Sequence, residues 1–130
     1  MKYLVDTDWV VDYLQGHEPA QSTLPRLMAD GIAISIITYT EYLEGVLGSR
    51  DPQQAQANFR AFLRPVPILG ITRRIGRTNA QLRLTLRLQR RPIEHRAFDL
   101  LIAATALSQK LTLVTRNTRH YNDIPSLNLY

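Results

Sequence analysis

At 130 residues, 45% of them hydrophobic and 21% charged, the chain has the size and composition expected of one compact domain, far from the profile of disorder. It has no cysteine, which excludes a disulfide scaffold, a thiolate zinc site and a catalytic thiol. The net charge of +5 hides a division: residues 1–51 carry eight acids against three bases, and residues 52–130 carry three acids against thirteen bases.

Lys2 to Val5 reads as a short strand running into Asp6-Thr7-Asp8, and Trp9, Val10, Tyr13 and Leu14 then follow a helical pattern that Gly16 can close in a left-handed conformation. Pro19 to Asp30 predicts a second helix ended by Gly31, and the apolar, β-branched run Ile32 to Ile37 predicts a buried strand. A third helix is expected from Thr38. A fourth starts with Asp51 as N-cap and Pro52 at the first helical position. Val66 to Leu69 is a weak strand suited only to an edge, because Pro67 lacks a donor.

Thr72 to Arg91 is expected to be helical, with Ile75, Leu82 and Leu86 on one stripe and Leu84 and Leu88 on the other. One stripe can pack on the sheet; the other, framed by Arg83, Arg87 and Arg90, predicts a homodimer contact. Seven arginines and no acid lie between Arg73 and Arg91, a pattern that attracts a polyanion by counterion release, although a solvated basic face has the same composition. Arg96 to Gln109 reads as an apolar helix with Asp99 in its first turn, Leu111 to Thr115 as a buried strand, and Leu127 to Tyr130 as a brief edge strand. Strands alternating with helices predict a parallel α/β sheet covered on both faces, an α/β/α sandwich of four to five strands. Asp6, Asp8 and Asp12 interrupt the start before a signal-peptide apolar stretch forms, and no run is long enough to span a membrane; a cytoplasmic protein is expected.

Asp6 directly follows the first strand, Glu41 opens the helix after the second, and Asn117 lies two residues beyond Thr115 at the end of a later strand. Carboxyl ends of parallel strands are where open sheets bind ligands, and Asp99 can face the same crevice. Each acid alone has a structural explanation, since Asp and Glu favour helix N-termini. Thr38-Tyr39-Thr40-Glu41 even matches a capping box, and Thr7 or Asp8 can cap the first helix, leaving Asp6 without a local task. Together, the three carboxylates would repel one another unless a hard cation such as Mg²⁺ shared them. His17, His95 and His120 are too scattered for zinc and are read as surface or capping residues.

Four stretches, Tyr3-Leu4-Val5-Asp6-Thr7-Asp8, Thr38-Tyr39-Thr40-Glu41, Phe98 to Ala106 and Leu113 to Tyr121, in this order and spacing, resemble the PIN-domain family and, within it, the VapC-like toxins of toxin–antitoxin pairs. The resemblance covers nearly the whole chain and implies a parallel sheet with the first strand central. It implies that Asp6, Glu41 and Asp99 form the acidic metal site, with Thr115 and Asn117 completing the catalytic pocket. Asn117 departs from the aspartate that many members place there and brings no charge. The implied activity is Mg²⁺- or Mn²⁺-dependent hydrolysis of an RNA phosphodiester, leaving a 5′-phosphate and a 3′-hydroxyl.

The resemblance further implies a structured RNA substrate, such as a transfer or ribosomal RNA loop, and a cognate antitoxin that lays an extended segment near the pocket. Two alternatives stand beside the toxin: a housekeeping PIN nuclease of RNA maturation, and a non-catalytic α/β signalling domain. The second wants a phosphoacceptor Asp after the third strand, and Val66 to Gly70 supplies none. An antitoxin reading frame immediately upstream would favour the toxin over the housekeeping enzyme.

Overall fold

A computed structural model of the chain describes residues 1–130. In chain order its elements are β1 (Tyr3–Val5), α1 (Thr7–Leu14), α2 (Ala20–Met28), β2 (Ile32–Ser35), α3 (Ile36–Leu47), α4 (Pro52–Leu63), β3 (Ile68–Leu69), α5 (Arg73–Leu88), α6 (Ala97–Gln109) and β4 (Thr112–Val114), followed by a 3₁₀ turn at Thr118–His120. The four strands are parallel in the order β3-β2-β1-β4, with Leu4 opposite Ala33 on one side and Leu113 on the other. The expected C-terminal edge strand is reduced to a single bridge of Leu129 to Leu113.

Strand side chains alternate between faces with a period of two, and this divides the core. Tyr3, Val5, Ile32, Ile34 and Val114 face a cluster that includes Trp9, Val10, Leu24, Phe59 and Phe62, on the side of α1 to α4. Leu4, Ala33 and Leu113 face the opposite way, against Leu82, Leu86, Leu100, Ala103 and Ala106 of α5 and α6. Three α/β/α layers result. The chain passes from β1 to β2 to β3 in one direction and returns to place β4 on the other flank of β1, so the strand order reverses between β1 and β4. No helix is long and apolar enough to cross a membrane.

Local stops follow backbone chemistry. Gly16 and Gly31 adopt φ of +77° and +90° beyond α1 and α2, and at Gly31 an added Cβ would stand 3.0 Å from the Met1 backbone. Asp51 caps α4 by accepting from Gln54 N–H, and Thr72 caps α5 by accepting from Ile75 N–H. α5 ends in a Schellman motif: Arg91 N–H reaches Leu86 C=O at 2.8 Å and Arg90 N–H reaches Arg87 C=O at 3.0 Å. Arg90 occupies the left-handed position there, at φ +59°.

One boundary differs from expectation. β2 stops at Ser35, whose hydroxyl accepts from Ile37 N–H at 3.0 Å, so α3 starts two residues earlier than Thr38. Thr38 is therefore an interior, fully buried helix residue, and the Thr38–Glu41 capping box does not form. The apolar Ile36 and Ile37 extend the strand-like run in sequence, but a serine cap stops the ladder first.

Candidate active site

The carboxyl ends of β1 and β4 lie side by side, with Asp6 N–H bonded to Val114 C=O at 2.9 Å. Asp6 is only 6% exposed and serves as the N-cap of α1: its Oδ1 accepts from Thr7 N–H at 2.8 Å. The expectation that Thr7 or Asp8 would cap is thus corrected, and Asp6 does have a local task. Its Oδ2 remains turned toward the crevice, where it accepts from Thr115 Oγ1 at 2.8 Å. Thr115 in turn accepts from Asn117 N–H at 3.1 Å. Asn117 enters the site through its backbone, and its side chain is exposed.

Two further residues belong to this network: Tyr121, given no role in the sequence reading, and Asp8, read there only as a possible helix cap. Tyr121, almost fully buried, places its hydroxyl 3.2 Å from Asp6 Oδ2 and 3.2 Å from Asp99 Oδ1. Asp8 accepts from Arg116 N–H at 2.9 Å through Oδ2, while its Oδ1 is buried without a partner. Burial, then the neighbouring Asp8 and, more weakly, Asp99, push the Asp6 carboxyl up to about 6, against the lowering effect of its Thr115 and Thr7 bonds. Burial also raises Asp8, and burial with the charges of Asp6 and Asp99 raises the Tyr121 phenol. The Tyr121 hydroxyl has a single proton and can donate to only one of the two carboxylates at a time.

Asp99 sits in the first turn of α6 as expected, with His120 Nδ1 3.4 Å from its Oδ2. Glu41 reaches the centre by another route: its Oε1 accepts from Thr7 Oγ1 at 2.7 Å, and Thr7 also contacts Thr38 at 3.1 Å. Glu41, His95, Ala97, Phe98 and Asp99 line one open cleft. His95 and His120 line one depression beside the site while His17 lies beyond α1, and all three are exposed and form no zinc site, as expected. A bidentate pair, Arg96 with Asp123 at 2.7 and 2.9 Å, ties the start of α6 to the segment carrying Tyr121, and Arg96 also donates to His120 C=O.

The match to known proteins covers this entire architecture. A PIN domain family profile matches residues 3–125. The chain is 35% identical over 126 residues to Ribonuclease VapC19 of Mycobacterium tuberculosis, with 95% of each chain covered. In three dimensions it is similar to VapBC2 from Rickettsia felis bound to a DNA fragment from their promoter, at TM-score 0.86 and 30% identity over 100% of this chain and 98% of that one. It is also similar to a toxin–antitoxin complex from Klebsiella pneumoniae, at TM-score 0.73 and 28% identity over 97% and 95%. The chain belongs to the PIN-domain family.

As a nuclease of that family, this PIN domain presents a crevice of hard oxygen donors. The residues fit a divalent metal: Asp8 holds a buried oxygen with no partner, and Asp6 and Asp99 converge on one hydroxyl. No three carboxylate or imidazole side chains form a complete cage. Asp6 and Asp99 meet through Tyr121, and Glu41 is connected to Asp6 only through Thr7. Oxygen donors of this kind suit a hard divalent cation. The site roles of Asp8 and Tyr121 escaped the sequence reading because their partners stand 107 and 115 residues away.

Proposed function

We propose that this PIN domain is a Mg²⁺- or Mn²⁺-dependent endoribonuclease, the toxin of a toxin–antitoxin pair, acting in the cytoplasm. The observation that carries the reading is the meeting of Asp6 and Asp99, from the end of β1 and the start of α6, on either side of one tyrosine hydroxyl at the strand-order reversal. Asp6 and Asp99 would hold the metal directly. Bound there, Mg²⁺ or Mn²⁺ supplies charge that polarises a phosphoryl oxygen and acidifies water.

The chain's own groups then have distinct tasks. Thr115 fixes Oδ2 of Asp6, and Asn117 N–H fixes Thr115, so the first carboxylate is held from two sides. Glu41, held at 2.7 Å by Thr7 at the rim of the same cleft, orients the attacking water and takes up its proton. Because external water attacks, the products carry a 5′-phosphate and a 3′-hydroxyl. Arg116 and Arg119, both exposed near the centre, hold the RNA backbone by charge.

The antitoxin's seat is a groove of about 360 Å³ between α1, α3 and α4, lined by Val11, Leu14, Tyr42 and Val46 with Glu41 at its rim. A segment in that groove can send a basic side chain toward the carboxylates. Exposed Leu84 and Leu88 on α5 form the contact of a homodimer.

The test is cleavage of total cellular RNA in Mg²⁺ or Mn²⁺ by the wild type and by Asp6→Ala and Asp99→Asn. Each variant is expected to lose at least about a hundredfold, as groups that hold a metal do. Activity that survives either substitution or excess chelator refutes the centre, and cyclic phosphate ends refute the mechanism.

A further inference from the structure

Arg96 occupies the N-cap position of α6, where a short polar side chain would ordinarily accept from the first free N–H groups of the helix. Arg96 makes no such bond. Its guanidinium instead donates four hydrogen bonds: to Pro92 C=O at 2.8 Å, to the two carboxylate oxygens of Asp123 at 2.7 and 2.9 Å, and to His120 C=O at 3.0 Å. The start of α6 is thereby fastened to a carboxylate 27 residues further along the chain. The two side chains of this clamp are only 16% and 14% exposed, so water screens the pair weakly.

Two of these partners bracket Tyr121. His120 precedes it and Asp123 follows it, so one guanidinium holds both sides of the segment that presents the Tyr121 hydroxyl to Asp6 and Asp99. Asp99 lies in the first turn of the helix that Arg96 opens. Two ionised carboxylates that share one hydroxyl repel each other, and the two are not held equally. Asp6 is fixed by Thr7 N–H and by Thr115 Oγ1, apart from Tyr121. The Asp99 carboxylate meets the Tyr121 hydroxyl and His120 Nδ1, both in the segment that Arg96 holds. The Asp123 bond, and then the charges of Asp123 and Asp99, raise the guanidinium further above its usual range, against the lowering effect of burial.

We propose that Arg96, locked by Asp123, is a positioning residue of the acidic centre: it holds Asp99 against the Tyr121 hydroxyl and so fixes, before any cation arrives, the spacing at which Asp6 and Asp99 can share one. The proposal rests on the metal-dependent reading and adds to it a residue that acts through Asp99 and Tyr121. The task suits arginine, whose planar fork reaches both oxygens of a carboxylate while its remaining N–H groups reach two carbonyls; a lysine carries the charge without the fork.

Mn²⁺ binding to the RNA-free protein, read by the electron paramagnetic resonance of the unbound ion and by calorimetry, tests the assignment. Charge alone predicts that removing a cation beside two carboxylates strengthens Mn²⁺ binding. Positioning predicts the opposite sign: Arg96→Gln should weaken Mn²⁺ at least about tenfold, as the loss of groups that orient metal ligands does. Asp123→Asn should weaken it by a similar factor, and the double variant by no more than the worse single one, because both act through one clamp. Arg96→Lys, which keeps the charge, should fall between the wild type and Arg96→Gln, and it carries the test if Arg96→Gln does not fold. Thr72→Ala, which removes the cap of α5, should lower the melting temperature and leave Mn²⁺ affinity within about twofold. Circular dichroism checks the fold of each variant. Tighter or unchanged Mn²⁺ binding in the Arg96 variants, or an equal loss in Thr72→Ala, overturns the positioning role. A wild type that binds no Mn²⁺ overturns the metal reading and the positioning role together, whereas wild-type binding that the clamp variants retain overturns the positioning role alone.

Discussion

Buried beside Asp8 and near Asp99, the carboxyl of Asp6 takes up its proton at about 6, against 3.8 for an ordinary aspartate. Between those two values the folded chain holds a proton that the unfolded chain has lost, so stability falls as pH rises through this window and stays low above it. In chelator, Asp6→Asn, which mimics the protonated acid, is therefore expected to be more stable than the wild type at pH 7 and to lose that advantage toward pH 4. Melting temperatures of both proteins across that range check it, and parallel profiles would reject the shift. Added Mn²⁺ should restore the wild type at pH 7, with an affinity that weakens as pH falls through about 6, where the proton competes for the same oxygen. Tyr121→Phe keeps the ring in the core and deletes the hydroxyl between Asp6 and Asp99. It should cost about 1 kcal/mol of stability and between about ten- and a hundredfold in RNA cleavage, read by denaturant melts and initial rates. Asp6 and Asp99 were legible because a residue after a buried strand and an acid in a helix's first turn are positional signals. Tyr121 resembles any core aromatic in sequence, and only the 22 residues that separate it from Asp99 in the folded chain's return path give its hydroxyl a purpose.

Among the elements, the boundary between β2 and α3 shows where local pattern misled. Glu41 sits at the expected spacing from Thr38 for a capping box, yet Ser35 caps first, and the helix runs on past both. Glu41 is thereby free of backbone duty and available to Thr7. The sheet, the helical nature of α5 and its two apolar stripes were readable because periodicity over sixteen residues is stronger than any single cap. At the end of α5, Arg90→Gly should relieve the left-handed strain and stabilise the fold by about 1 kcal/mol, read as a higher melting temperature. An unchanged or lower melting temperature would reject the strain. Between α6 and the 3₁₀ turn, Arg96 holds the Asp123 carboxyl below the usual range. That contribution is complete above the ordinary carboxylate pKa and disappears as pH falls through the lowered one. Asp123→Asn should cost about 2 kcal/mol at neutral pH, because both members of the pair are largely buried.

At the scale of the whole molecule, the proposed homodimer turns on the two apolar stripes of α5. Leu84 and Leu88 are 53% and 75% exposed while Leu82 and Leu86 on the neighbouring stripe are buried. Replacing Leu84 and Leu88 together with glutamate should convert a dimer to a monomer in sedimentation at micromolar concentration, with the melting temperature nearly unchanged. A wild type that already sediments as a monomer would remove the dimer. The division of charge between the first 51 residues and the remainder was plain in the sequence, and the fold converts it into a geometry: acids at the strand ends, and arginines around the carboxyl end of α5.

The link between Asp6 and the residues that hold it also orders events on the ribosome. Asp6 emerges well before Thr115 and Tyr121, its partners 109 and 115 residues further along the chain. At about 5–20 residues per second, a nascent chain waits roughly ten seconds before its first carboxylate can be fixed in place. Until β4 docks, β1 also lacks one of its two neighbours. A nascent chain that has not yet made β4 and Tyr121 therefore carries Asp6 without the groups that fix its carboxylate.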